Sequence, residues 1–247
     1  MPKYFTNTFS VTNLYKKPSS KSETVTQMIY GDSFTIINRN IKWLKVKIKE
    51  DNYIGFIKNR NYTDYLKPTH KISKLNAKIY KLPNKRKKIN VFTFGSKIRV
   101  VDKQFKFLKF DKGWISQSET KPLSYKESNP FKQINIFRNI KYKWGGKSFK
   151  GIDCSALVQI FLNFNNKFCP RDTVDQIKYF KNKVKLNNIR KNDLIFWRGH
   201  VALAVSKTKL IHGYGPFKKV VIMPIKKTID KINETANLKV TGIRRVT

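Results

Sequence analysis

Apolar residues follow two rhythms along this chain, and the change falls near residue 124. From residue 10 to 66 they gather into short runs: Val11 to Tyr15, Glu23 to Met28, Ser33 to Asn38, Trp43 to Ile48 and Tyr53 to Ile57. Gly31-Asp32, Asn38 to Asn40 and Glu50 to Asn52 break them. Short β-rich runs between turn residues predict a small all-β barrel. Residues 72 to 123 repeat the theme more faintly, through Ala77 to Leu82, Asn90 to Phe94, Lys97 to Asp102, Phe107 to Phe110 and Gly113 to Ser116. The two segments align loosely, which suggests a repeat of about 60 residues. Residues 124 to 130, polar and ending in Pro130, form a linker. Beyond it, Phe131, Ile134 and Phe137 predict a helix over 131–140. Ser155 to Phe164 predicts a buried helix and Asp172 to Asn182 another. Strands follow at Leu194 to Trp197, His200 to Ser206, Lys209 to Gly213, Val220 to Pro224 and Gly242 to Val246. Helices first and antiparallel strands after make the last segment α+β. The expected domains are 1–68, 69–123 and 124–247.

Composition narrows the picture. The chain has 247 residues, 40% hydrophobic and 13% aromatic, enough for folded cores despite a net charge of +38. Such a charge points to a polyanion or to compositional drift. Lys far outnumbers Arg, Asn and Ile are abundant, and the basic residues are spread along the whole length. Drift is the favoured reading, and nucleic acid is not an expected partner. Two cysteines, Cys154 and Cys169, make no disulfide framework. The first residues lack an apolar signal core and no stretch is long enough to span a bilayer, so the expected location is cytoplasmic.

The strongest local signal is the stretch from Tyr142 through Trp144-Gly145-Gly146 and Gly151 to Asp153-Cys154-Ser155 and Gln159. A Gly-rich loop leads into a cysteine that opens an apolar helix. Free N–H groups and the helix dipole there favour a thiolate and can hold an oxyanion. Asp153 stands at the expected N-cap. Of the three histidines, His70 lies between the presumed barrels, while His200 and His212 lie at the ends of two strands that a hairpin would bring together. His200 could then take the Cys154 proton while His212 orients it. A zinc site built from these three residues is disfavoured by their wide spacing, and no cofactor is expected. Cys169 is read as an inert thiol.

These elements resemble the NlpC-type cysteine peptidases, papain-like enzymes of bacterial cell-wall metabolism. The shared pattern is Tyr-x-Trp-Gly-Gly, Asp-Cys-Ser, Gln159, Pro170-Arg171-Asp172-Thr173 with Gln176, Asn192-Asp193, Gly199-His200-Val201-Ala202 and Ile211-His212, in the family's order over roughly residues 131 to 225. Ala156 and Asn192 stand where the family usually has Gly. The two N-terminal segments are similar to bacterial SH3-like domains. The resemblance implies a papain-like catalytic domain preceded by two SH3-like barrels. It implies Cys154 as nucleophile, His200 as general base and acid, His212 as orienting residue and Tyr142 at the oxyanion site. Asp153 and Ser155, with Tyr53 of the first barrel, would bind the free amine of an N-terminal L-Ala. Arg171 would hold a substrate carboxylate or make a structural ion pair. The implied activity is a thiol protease acting on peptidoglycan-derived peptides at the γ-D-glutamyl-diamino acid bond. Two alternatives stay open: an amidase or acyltransferase on another amide, and a non-catalytic basic protein binding wall polymer or nucleic acid.

Overall fold

A computed structural model describes residues 2–246. Strand-rich sequence up to residue 122 forms two barrels. In the first, strands Tyr4–Thr6, Val11–Tyr15, Thr24–Ile29, Ser33–Arg39, Trp43–Ile48, Ile54–Lys58 and Thr63–Asp64 make one antiparallel sheet around Leu14, Met28, Phe34, Leu44, Val46, Ile48 and Ile57. Alternation is clean in Trp43–Ile48, where Leu44, Val46 and Ile48 are buried and the intervening lysines exposed. The second pairs a five-stranded sheet over residues 76–116 with a three-stranded sheet of His70–Ile72, Lys97–Ile98 and Thr120–Pro122. Strands at Tyr4–Thr6, Thr63–Asp64, His70–Ile72 and Thr120–Pro122 were not foreseen. They are too short to show a period.

The third unit is α+β. Helix α1 (Cys154–Phe164) is buried at every position but Asn163, and packs on an antiparallel sheet ordered Lys219–Pro224, Lys209–Tyr214, His200–Ala204, Asp193–Trp197, Gly242–Arg245. Helix α2 (Thr173–Tyr179) is shorter than expected, ending where Phe180 turns extended. The helix expected over 131–140 is a single 3-10 turn, Ile134–Phe137. Its apolar residues recur every third position, the period of a 3-10 turn rather than of an α-helix, and Phe131, Ile134 and Phe137 all reach the core. Helix α3 (Ile225–Ala236), unforeseen, covers the other sheet face with Ile225, Thr228 and Ile232 buried.

The three units interlock. Phe94 of the second barrel enters the core of the third unit, 4.5 Å from the ring of Phe164 and 4.8 Å from that of Phe161. Tyr30 of the first barrel stacks at 4.3 Å on Phe92 of the second. Beside it Gly31, at φ +85°, lies so close to Lys97 that a Cβ would stand 2.0 Å from the Lys97 carbonyl oxygen. Only glycine fits there.

Candidate active site

Cys154 is the first residue of α1. Asp153 caps the helix in extended conformation (φ −95°, ψ 178°), its Oδ1 accepting from the Ala156 amide at 2.8 Å. The cysteine is 4% exposed. Helix α1 packs on strand His200–Ala204, and the backbone amides of Val201 and Ser155 favour the thiolate form of its first residue. The neighbouring strand holds α1 in place. Gly213 packs so tightly that a Cβ would meet the Asp153 carbonyl carbon at 3.1 Å and the Cys154 nitrogen at 3.2 Å. His200 Nε2 and His212 Nδ1 are 2.8 Å apart. With Nε2 so engaged, Nδ1 is the His200 nitrogen left for a proton from outside the pair. His212 is buried and stacks at 4.6 Å on Tyr214.

Burial dominates the titration of these groups. It pushes the Cys154 thiol up to about 12, with the Asp153 charge adding to it and the Val201 amide, Arg171 and the Ser155 amide opposing. Burial pushes the His200 imidazole down to about 4, against a smaller opposing effect of Asp153. His212 goes down as well, through burial and then the neighbouring His200. The empty site therefore rests as thiol and neutral imidazole. Tyr142 is half-buried, and its phenol is pushed up by burial first and next by Cys154 and Asp153.

The remaining expected residues sort into two groups. Arg171, 3% exposed, donates to Thr26 Oγ1 at 2.7 Å, to Ser155 Oγ at 2.7 Å and to both oxygens of Asp153. It makes the ion pair of the two expected alternatives. Asp153 further accepts from the Gly145 amide at 2.9 Å and from Ser155 Oγ at 3.2 Å. Five donors on one carboxylate use up its roughly four lone-pair directions. Tyr53, in contrast, reaches the cleft and donates from its hydroxyl to Asp172 Oδ2 at 3.1 Å. Gln159, part of the sequence pattern, ties α1 to the first barrel by donating to Asp51 Oδ2 at 3.0 Å. Cys169 is fully buried.

The cleft itself has a volume of about 450 Å³. Cys154, Asp153, Ser155, Arg171 and Gly199 line one side, and Lys16, Glu23, Val25, Tyr53 and Ile54 of the first barrel line the other. Two residues in it were missed. Asp172 is half-buried, with its carboxyl raised by burial against the opposing effects of Arg171 and Tyr53. Glu23 Oε1 accepts from Trp144 Nε1 at 2.7 Å at the rim. Asp172 stood in the quoted pattern, but nothing in the chain pointed to its facing a barrel tyrosine 119 positions away. Among the described residues, no group of three or more His, Cys, Asp and Glu is placed to hold a metal ion.

A cysteine opening a buried helix against an antiparallel sheet that supplies two coupled histidines defines a papain-like site. Comparison places it more narrowly: residues 139–236 match the NlpC/P60 family and residues 14–61 match the bacterial dipeptidyl-peptidase Sh3 domain, and the chain belongs to the NlpC/P60 family. It is 27% identical over 231 residues to a γ-D-glutamyl-L-lysine dipeptidyl-peptidase of Bacillus subtilis, covering 83% of this chain and 77% of that one. A probable endopeptidase of Haemophilus influenzae is 33% identical over 114 residues, covering 39% of this chain and 70% of the relative. A crystal structure of an NlpC/P60 family protein from Bacillus cereus superimposes with a TM-score of 0.80 at 19% identity, over 98% of this chain and 99% of the other, and so shares the fold throughout. No helix among the described residues is long and apolar enough to cross a membrane.

Proposed function

We propose that the protein is a cysteine peptidase that hydrolyses the amide between the γ-carboxyl of D-Glu and a diamino acid, in peptidoglycan-derived peptides whose N-terminal L-Ala carries a free amine. The observation that carries this reading is the acidic wall of the cleft. Asp172, fixed by Tyr53 from the first barrel, faces the same cavity as Cys154. Half-burial raises its carboxyl, so a cation brought beside it gains more than it would in water. Glu23 lies in the same cavity. An L-Ala ammonium supplies that cation. Asp153 has no lone pair to spare, so of the residues expected to bind the amine Tyr53 keeps the role, Asp172 takes the place of Asp153 and Ser155, and Arg171 acts by holding Asp153. The names of the relatives, a γ-D-glutamyl-L-lysine dipeptidyl-peptidase and a dipeptidyl-peptidase 6 of Lysinibacillus sphaericus, support the same substrate class.

Chemistry follows from the neutral resting pair. His200 Nδ1 takes the Cys154 proton as sulfur bonds to the γ-carbonyl carbon. His212 holds the resulting imidazolium through the 2.8 Å contact at Nε2. The tetrahedral oxyanion lies within reach of the α1 N-terminal amides and the Tyr142 phenol. The C–N bond then breaks, the proton on His200 passes to the leaving amine, and an L-Ala-γ-D-Glu thioester remains. Water gives a proton to His200 and attacks the thioester. The C–S bond breaks, and the sulfur takes the proton back as the dipeptide acid departs. We further propose that the substrates are soluble, recycled wall peptides in the cytoplasm.

The test is incubation with L-Ala-γ-D-Glu-diaminopimelate, L-Ala-γ-D-Glu-L-Lys and their N-acetylated forms, with product masses measured. Release of L-Ala-γ-D-Glu from the free-amine peptides alone, lost in Cys154→Ala and kept in Cys169→Ala, is expected. Equal cleavage of the acetylated peptides would rule out amine recognition.

A further inference from the structure

Far from the cleft, where the two barrels meet the back of α1, the protein buries more positive than negative charge. Lys147 follows the Gly145-Gly146 loop, and its side chain is 2% exposed. Among the described residues its ammonium has one ion-pair partner, Asp32 Oδ2 at 3.7 Å, beyond hydrogen-bond distance. Lys97 of the second barrel contacts Asp32 at 3.2 Å and pairs with Glu50. Lys71, 2% exposed, donates to the carbonyl oxygens of Tyr125 and Phe164 and to Asn166 Oδ1, and has no carboxylate partner among the described residues. Three ammonium groups thus face two carboxylates, an excess of one positive charge in a largely buried cluster. Burial first, then the exposed Lys126 and after it Lys97, push Lys71 down to about 8.

These groups surround a cavity. Asp32, Lys71, Lys97, Lys147, Asn163 and Asn166 line it, closed by Ile29, Gly95, Leu123, Ile160 and Phe164, with a volume of about 20 Å³. A single water needs about 10–15 Å³ on the same measure. One monatomic ion or one water fits, whereas a phosphate or sulfate does not.

We propose that this cavity binds a single halide ion, chloride under ordinary conditions, held by the Lys147 ammonium with Lys97 and Asn163 beside it. The ion balances the excess charge. It also supplies the acceptor that Lys147 lacks, and a buried ammonium left without one costs several kcal/mol. Asp32 belongs to the first barrel, Lys71 and Lys97 to the second and Lys147 to the catalytic unit, so the halide pins all three together. Its reach extends to the active site through the loop. The Lys147 amide donates to Gln27 Oε1 of the first barrel at 2.9 Å, and two residues earlier the Gly145 amide donates to the catalytic-side Asp153.

Two measurements test this. Crystals of the native protein soaked in sodium bromide are expected to show an anomalous peak in the cavity within about 3.5 Å of Lys147 Nζ. A water there with no anomalous signal, or bromide found at surface lysines alone, would overturn the proposal. In solution at constant ionic strength, replacing sulfate by chloride withdraws the general stabilisation that sulfate gives to any protein, so the site is read as the midpoint shift of the native protein minus that of Lys147→Met, in which the cavity charge is already balanced. That difference is expected to be about +4–8 °C for a site tens of fold saturated. Equal shifts in both proteins would overturn the proposal.

Discussion

At the scale of single residues, Asp172 and Asp153 are carboxylates in the same cleft with different availability. Asp153 accepts from five donors, whereas the Asp172 side chain accepts from the Tyr53 hydroxyl alone among the described residues. Asp172→Asn is therefore expected to raise KM for the free-amine peptide about tenfold or more, the worth of one charge-assisted hydrogen bond, with a smaller change in kcat. Steady-state kinetics check this, and an unchanged KM would return the amine to another partner. Asp153→Asn is expected to act differently. It strips Arg171 of its partner inside the protein, so the folded state itself should lose about 3–5 kcal/mol in denaturant titration. The neutral pair gives a third outcome. With the thiol pushed up to about 12 and His200 down to about 4, alkylation of Cys154 by iodoacetamide in the empty enzyme should be slow and rise about tenfold per pH unit from 6 to 9. A rate already level at pH 5 would mean a preformed thiolate–imidazolium pair.

At the scale of elements, the site depends on how strands meet α1. Gly213→Ala puts a methyl group 3.1–3.2 Å from the backbone that carries Cys154. The helix start must shift by a few tenths of an ångström. The expected cost is about 1 kcal/mol in stability and tenfold or more in kcat, because reacting groups tolerate misplacement worse than the core does. The elements also show where sequence reading succeeds. Long apolar runs such as Ser155 to Phe164 and the strands Asp193–Trp197 and His200–Ala204 declare themselves, since burial on nearly all sides leaves few polar positions. The placement of Cys154 at a helix start and of His200 beside His212 was legible because cysteine and histidine are rare in this chain. Helix α3 was missed although Ile225, Ile229 and Ile232 keep helical spacing, because Lys-rich sequence and Pro224 mask a narrow stripe on one face. Thr26, Gln27, Asp51 and Asp172 were illegible as a set. Each is a single polar residue whose partner lies more than 100 positions away, and no local pattern encodes such a contact.

At the scale of the whole molecule, keeping His200 and His212 neutral costs stability in acid. His200 has a folded value of about 4 against an ordinary value near 6.5, so between those limits the unfolded chain binds the proton and the folded chain does not. Stability contributed by the neutral imidazole is intact above about pH 6.5 and is lost as pH falls toward 4. At pH 5 the loss from His200 alone is about 2 kcal/mol, and His212, lowered in the same sense, adds to it. Glu50, Glu119 and Asp172 are raised in the folded state and act in the opposite direction, since their folded forms take up protons first. The native chain alone therefore mixes the two signs. Comparison with His200→Asn separates them, because the carboxylates are common to both proteins and cancel in the difference. Urea midpoints measured at pH 7.5 and pH 5 should show the native chain losing about 2 kcal/mol more than the variant. An equal loss in both would mean that the His200 ring takes a proton in the folded state as readily as in water, and with that the neutral resting pair on which the proton transfers rest would fail.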